Sequence, residues 1–246
     1  MRIAVLSDIH ANVEALVACV KHAGDRGADR FVFLGDLVGY GADPDRVLDI
    51  VTTHTLAGAL TLKGNHDEAI AKSSSYFNEA AQAALELARE RLGSGHKRFL
   101  AALPLVWRDG GVCYVHASAA NPEQWNYIDS PSAAKRCLDA AQATYTFCGH
   151  VHDQLLYFEN PQGRMSEFRP SPGTPIPVPS HRHWVVIVGS VGQPRDRNPA
   201  AAYALFDRRL EQLTFYRVAY DALAAANSIR HSGLPESLAY RVEFGI

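Results

Sequence analysis

Hydrophobic positions along the chain follow two alternating periods. The short apolar runs "RIAVLS" (2–7), "RFVFLGD" (30–36) and "GALTLKGN" (58–65) have the length and bounding residues of buried strands. Between the first two, Val13, Leu16, Val17 and Val20 recur at i, i+3, i+4 and i+7, which is one face of a helix. "ADPDRVLDIV" (42–51) opens a second helix, with Asp43 as N-cap and Pro44 at its first position. Repetition of strand, helix and strand at this pitch predicts a parallel sheet covered by helices, an α/β fold. Residues 78–102 are Ala-rich and helical in pattern. "GVCYVH" (111–116) and "TYTFCGH" (144–150) are two further strands, with a helix starting at Ser130 and Pro131 between them.

After residue 152 the texture changes. "QLLYFEN", "HWVVIVGS", "AAYALFD" and "QLTFYRV" are strands separated by turn residues without helices, which predicts an antiparallel meander forming or completing a second sheet. The proline-rich segment 169–180 reads as a surface loop, and an amphipathic helix over 220–233 closes the chain. The pattern is that of one domain over 1–246, with a helical insertion at about 68–104 and the meander and final helix at 153–246.

Composition narrows the function classes. Of 246 residues, 47% are hydrophobic and 20% charged, as in an ordinary globular protein. A net charge of −2 without any block of like charges argues against binding to nucleic-acid polymers. No stretch approaches the roughly 20 apolar residues of a membrane span, and the first apolar run is too short for a signal-peptide core. Cys19, Cys113, Cys137 and Cys148 are scattered and form no C-x-x-C pair, so reduced core cysteines and a cytoplasmic location are expected. The pattern leaves oligomeric state open.

Candidate chemistry gathers where strands end. The first ends in Asp8-Ile9-His10, the second in Gly35-Asp36, the third in Gly64-Asn65-His66-Asp67, the fourth in His116 and the fifth in Gly149-His150-Val151-His152. Strands of one parallel sheet place their C-terminal ends at one edge, where open α/β folds bind ligands. On a strand, side chains two apart share a face, so Asp8 with His10, or His150 with His152, could grip one ion. Neighbours diverge, so Asn65 and His66 should serve different purposes. Carboxylate, imidazole and amide ligands without thiolate suit Mn, Fe, Ni, Co or Zn rather than a Cys-type structural site. Seven ligands exceed the need of one catalytic ion and fit two ions sharing a carboxylate, an arrangement that activates water and clamps a phosphoryl group.

Taken in order, "SDIHAN", "LGDLVGYG", "KGNHDE", "YVHAS" and "CGHVHD" resemble the motifs of the calcineurin-like metallophosphoesterases, and "VGSVGQPRD" resembles a stretch of that family's small bacterial members. The resemblance implies a four-layer α/β/β/α sandwich of two mixed sheets with outer helices. It implies Asp8, His10, Asp36 and His152 at one metal, and Asp36, Asn65, His116 and His150 at a second. It gives His66 the role of protonating the leaving oxygen. The expected ion is manganese, and the expected substrate is a small phosphoester or nucleotide, a phosphodiester before a phosphomonoester. The alternative is a member that keeps the fold as a protein-binding scaffold.

Where the best-known phosphatases of the family read G-D-x-x-D-R-G, this chain has Gly39 for the carboxylate that orients the histidine and Tyr40 for the arginine that grips phosphate. His66 then needs another support, for example Asp67. Candidate substrate contacts are Asn12, Tyr40 and Arg195. Each also has a structural reading: helix cap for Asn12, turn residue for Tyr40, surface ion pair for Arg195. Trp125 and Tyr127 could stack on a base or belong to the core.

Overall fold

The computed structural model of the protein describes residues 1–72 and 77–246. In chain order the first elements are β1 (Arg2–Leu6), α1 (Val13–Asp25), β2 (Arg30–Phe33), α2 (Pro44–Leu56), β3 (Leu60–Thr61), α3 (Asn65–Ala71), α4 (Glu79–Arg91) and α5 (Ser94–Ala102). Then come β4 (Val106–Asp109), β5 (Val112–Val115), α6 (Pro131–Ala141), β6 (Tyr145–Cys148), β7 (Gln154–Glu159) and β8 (Met165–Phe168). The chain finishes with β9 (Pro175–Pro177), β10 (Trp184–Val188), β11 (Ala201–Asp207), β12 (Gln212–Val218), α7 (Ala222–His231) and α8 (Glu236–Phe244).

Two six-stranded sheets form, in the orders β3-β2-β1-β11-β12-β9 and β4-β5-β6-β10-β7-β8. Both are mixed: β1, β2 and β3 run parallel in one, β5, β6 and β10 in the other, and the remaining pairings are antiparallel. The two-residue alternation of β1 sets the layers. Ile3 and Val5 pack with Phe147, Val186 and Phe206 between the sheets, while Ala4 and Leu6 face Leu16, Val47 and Leu48 of the helices outside. On the far face of the second sheet, Cys113 and Ile187 pack against Ala134 and Leu138 of α6. This is the expected α/β/β/α sandwich.

Several local expectations are corrected. The four late strands are not one meander: β7 and β10 complete the second sheet and β11 and β12 the first. Periodicity reports burial but not pairing partner. The proline-rich segment contains β9, which pairs with β12 at a sheet edge, where a strand tolerates proline. The chain closes on two helices, not one, because α8 follows α7 after Pro235. Asp43 is the N-cap of α2 but makes no side-chain cap bond, its carboxylate facing Arg46 at 3.4 Å. Within 68–104 the described residues are helical in α3, α4 and α5, and residues 73–76 lie outside the description. All four cysteines are free and buried, and no helix among the described residues is long and apolar enough to cross a membrane.

The ends of the parallel strands from both sheets meet, not those of one sheet alone. Val191 N donates to Ser7 O and Gly192 N to Asp8 O at 2.9 Å, tying the loop after β10 to that after β1. Gly149, after β6, enters so closely that a Cβ there would stand 1.9 Å from Ser7 Oγ and 2.5 Å from Asp8 Oδ2. Gly149→Ala should therefore cost about 1–3 kcal/mol by overpacking. Gly24→Ala, in α1 with open space around it, should instead be neutral or stabilising by roughly 0.5–1 kcal/mol. Thermal melts of the two variants check this, and a Gly149→Ala melt equal to wild type would contradict the close approach.

Candidate metal centre

Every one of the seven proposed ligands lies at this junction, and each is buried. The backbone brings them there by an unusual route. Asp8, His10, Asp36, His150 and His152 have φ of 54°, 49°, 51°, 65° and 71°, a left-handed conformation that costs non-glycine residues energy. The turns are held by bonds between loops: Asp8 N donates to Gly35 O at 3.0 Å, and His10 N to Asp36 O at 2.9 Å. Gly149 N donates to His116 O at 2.8 Å, and His150 N to Asp8 Oδ2 at 3.0 Å.

Three groups of potential ligands result: Asp8 with His10 and His152, Asp36 with His116 and His150, and His10 with Asp36 and His66. His150 and His152 thus part company, against the expectation from strand spacing, because both stand beyond β6 in twisted turns. Asn65 and His66 do diverge, but as the first residues of α3 and not as strand neighbours. Asn65 Oδ1 lies 3.2 Å from His116 Nε2. Asp36 belongs to both neighbourhoods. Its Oδ1 accepts the His66 N–H at 2.9 Å, while its Oδ2 is 3.8 Å from His10 Nε2 and 3.4 Å from His116 Nε2.

The donor set suits cations. His10 Nδ1 faces Val38 O at 3.2 Å and His152 Nδ1 faces Gln193 O at 2.6 Å. Carbonyls only accept, so each Nδ1 carries the proton and each Nε2 a lone pair. Those Nε2 atoms stand 3.2 Å apart with Asp8 Oδ1 3.4 Å from that of His152, lone pair toward lone pair, a repulsion that a cation relieves.

Protonation follows burial and charge. Burial holds His10 and His152 well below the usual range and His150 at about 3, against the pull of Asp36. Burial would also depress His116, but Asp36 and Asp8 beside it lift it to about 9. Burial raises Asp8 to about 6; it would raise Asp36 too, yet His116 and His66 hold that carboxyl well below its ordinary value. In the unloaded centre His116 is therefore an imidazolium paired with Asp36.

His66 sits above this cluster. Its ring centroid is 4.6 Å from Tyr40, 4.6 Å from Phe77 and 4.9 Å from His10. Asp67 does not support it: its carboxylate caps the loop, accepting from Leu37 N and Gly64 N at 2.9 Å each. The Gly39 backbone takes the place of the missing carboxylate, since a Cβ at Gly39 would lie 2.3 Å from His66 Nδ1. Burial lowers His66 to about 4, against the pull of Asp36.

Over the cluster opens a cavity of about 290 Å³. Tyr40 and Arg195 line it, with the Arg195 guanidinium 5.9 Å from the centre of the Tyr40 ring. Asn12 is elsewhere. Its Oδ1 caps α1 by accepting from Ala15 N at 3.1 Å, and its Nδ2 donates to Gly192 O and Tyr220 OH. Tyr127 lines the cavity, 43% exposed and stacked on His150 at 4.2 Å, while Trp125 stands edge-on to His116 at 5.8 Å. Sequence reading missed Arg241 of α8, which lines the cavity and belongs to no motif.

Comparison with known proteins agrees with this geometry. The calcineurin-like phosphoesterase superfamily domain matches residues 1–209. The crystal structure of a metallophosphoesterase from Sphaerobacter thermophilus superposes with a TM-score of 0.90 at 34% identity, over 100% of both chains. A hypothetical protein from Pyrococcus horikoshii shares the fold at a TM-score of 0.81 and 21% identity, covering 100% of this chain and 98% of that one. An uncharacterized protein of Methanocaldococcus jannaschii is 31% identical over 249 residues, 99% of this chain and 98% of its own length. The chain belongs to the calcineurin-like phosphoesterase family, and is thus a metal-dependent phosphoester hydrolase.

Proposed function

We propose that the protein is a two-metal phosphodiesterase acting on a small or nucleotide substrate. Asp8, His10, Asp36 and His152 would hold one ion, and Asp36, Asn65, His116 and His150 the other. The position of Asp36 Oδ2 carries this reading, between His10 Nε2 on one side and His116 Nε2 on the other. Divalent ions there supply charge for the phosphoryl oxygens and acidify water. Oxygen and imidazole donors without thiolate favour manganese, with Fe, Ni, Co or Zn as substitutes. Four free, buried cysteines fit a cytoplasmic setting.

The chain's own residues divide the remaining work. Asp36 Oδ1 fixes the start of α3 through the His66 N–H, so the shared carboxylate and the His66 backbone move together. His66 is neutral before substrate arrives, and an anionic phosphoryl group beside it favours its protonated form. Nδ1 is buried against Gly39, without a hydrogen-bond partner among the described residues. The proton given to the leaving oxygen is therefore the one on Nε2. Tyr40 and Phe77 hold the ring by packing where a carboxylate is absent.

Asp36→Asn should abolish turnover and lower the metal content below two ions per chain. Two ions retained in the variant would overturn the shared-ligand role.

Loading should also release protons. At pH 7 His116, at about 9, is protonated in the unloaded centre and must lose its proton to become a ligand. Uptake of both ions should release about one proton per chain at pH 7, and affinity should rise with pH up to about 9 and then level off. Calorimetry in buffers of different ionisation heat measures this; an affinity independent of pH between 7 and 9 would contradict it.

His66→Ala should keep both ions and slow hydrolysis of a nucleotide diester or alkyl phosphate by about 10²–10⁴-fold. A nitrophenyl ester, whose leaving group departs unprotonated, should be hurt far less. Loss of an ion, or equal slowing of both substrates, would show that His66 is a ligand or a structural residue.

A further inference from the structure

Arg195 and Arg241 reach the cavity from opposite parts of the chain, the loop after β10 and helix α8. Both are half-buried. Arg195 donates from Nη2 to Gln193 Oε1 at 3.2 Å, and its Nε is buried without a partner. Among the described residues the Arg241 side chain makes no hydrogen bond or ion pair. The acids on its own helix, Glu236 and Glu243, are both taken by Arg230, at 2.7 Å each. Asp36 is the one carboxylate among the described residues lining the cavity, and it is committed to the metal cluster. Two guanidinium groups therefore face one small cavity without an anion to neutralise them, an arrangement that suits phosphate.

The two arginines stand on different elements of the cavity wall. Arg195 stands over the Tyr40 ring, 5.9 Å from its centre, and that ring lies 4.6 Å from those of His10 and His66. Arg241 comes from α8, which packs with α4 and Tyr40 in an apolar cluster of its own. Asn78 and Ala81, at the start of α4, line the same cavity. Two guanidinium groups on separate elements offer a second anion contact beside the one at the metals.

We propose that Arg195 and Arg241 form a two-point anion clamp, and that the preferred substrate is a small molecule with two phosphate groups. One phosphate is hydrolysed beside Arg195 and the other is held intact at Arg241. This rests on the phosphodiesterase reading and goes beyond it by fixing the substrate class. Arg241 is a specificity-determining residue and takes no part in bond breaking. The cavity, at about 290 Å³, lies at the low end of small-molecule sites, roughly 300–1,000 Å³.

The test compares two substrates on metal-loaded enzyme: the 4-nitrophenyl ester of thymidine 5′-phosphate, with and without a 3′-phosphate. Wild type should favour the 3′-phosphorylated ester through KM. Arg241→Gln should raise that KM about tenfold, the worth of one charge-assisted hydrogen bond, with kcat within about twofold. It should leave the 3′-hydroxyl ester unchanged, and Arg241→Lys should restore part of the preference. In parallel, calorimetry of thymidine 3′,5′-bisphosphate against thymidine 5′-phosphate should show tighter binding of the bisphosphate by wild type and none of that preference in Arg241→Gln. An unchanged ratio, or equal weakening of both ligands, would overturn the clamp. Failure of wild type to hydrolyse either ester would refute the phosphodiesterase reading instead, and calorimetry would still decide the clamp.

Discussion

Two carboxylates, Asp8 and Asp36, are buried at the meeting of two sheets, within 4.0 Å of His116 Nε2. Buried charge without a partner is costly, so this part of the fold depends on what neutralises these groups. Without metal the chain answers with its own proton, holding His116 as an imidazolium between them. One proton does not match two carboxylates and the facing lone pairs of His10 and His152. The left-handed turns at five of the seven ligand positions add a second cost, carried by hydrogen bonds between loops. Such strain persists where surroundings over-determine it, as the crossed bonds between the loops of both sheets do here.

Much of this was legible in the sequence because burial and period are written residue by residue. Alternation in β1 and the i, i+3, i+4 spacing of α1 locate the layers, and polar residues at strand ends locate the centre. Backbone geometry beyond the strand ends is not written in that way. Asp8 and His10 stand past the end of β1, and His150 and His152 past the end of β6, where positive φ replaces strand alternation. The same residue spacing therefore joins one pair and separates the other. Sheet membership of the late strands was hidden because an apolar run does not name its neighbour. Arg241 was hidden for a similar reason: only tertiary packing brings α8 to the cavity.

The departure at Gly39 and Tyr40 becomes a change of device. A carboxylate at position 39 would need a Cβ where the His66 ring already lies, so backbone contact and aromatic packing replace hydrogen bonding as the means of holding that ring. Tyr40 stands at the place of the arginine in the best-known phosphatases' G-D-x-x-D-R-G motif, and the guanidinium of Arg195 comes over its face from another loop. The positive charge is thus kept while its origin moves, and the ring supports both His66 and Arg195.

The proposed two-ion centre depends most on Asp36 serving both ions at once. A crystal structure of manganese-loaded protein, with anomalous scattering to locate the metal, tests this directly. Two peaks roughly 3.5–4 Å apart, with Asp36 Oδ2 bound to both, are the expected result. A single peak, or two peaks of which Asp36 touches only one, would contradict it.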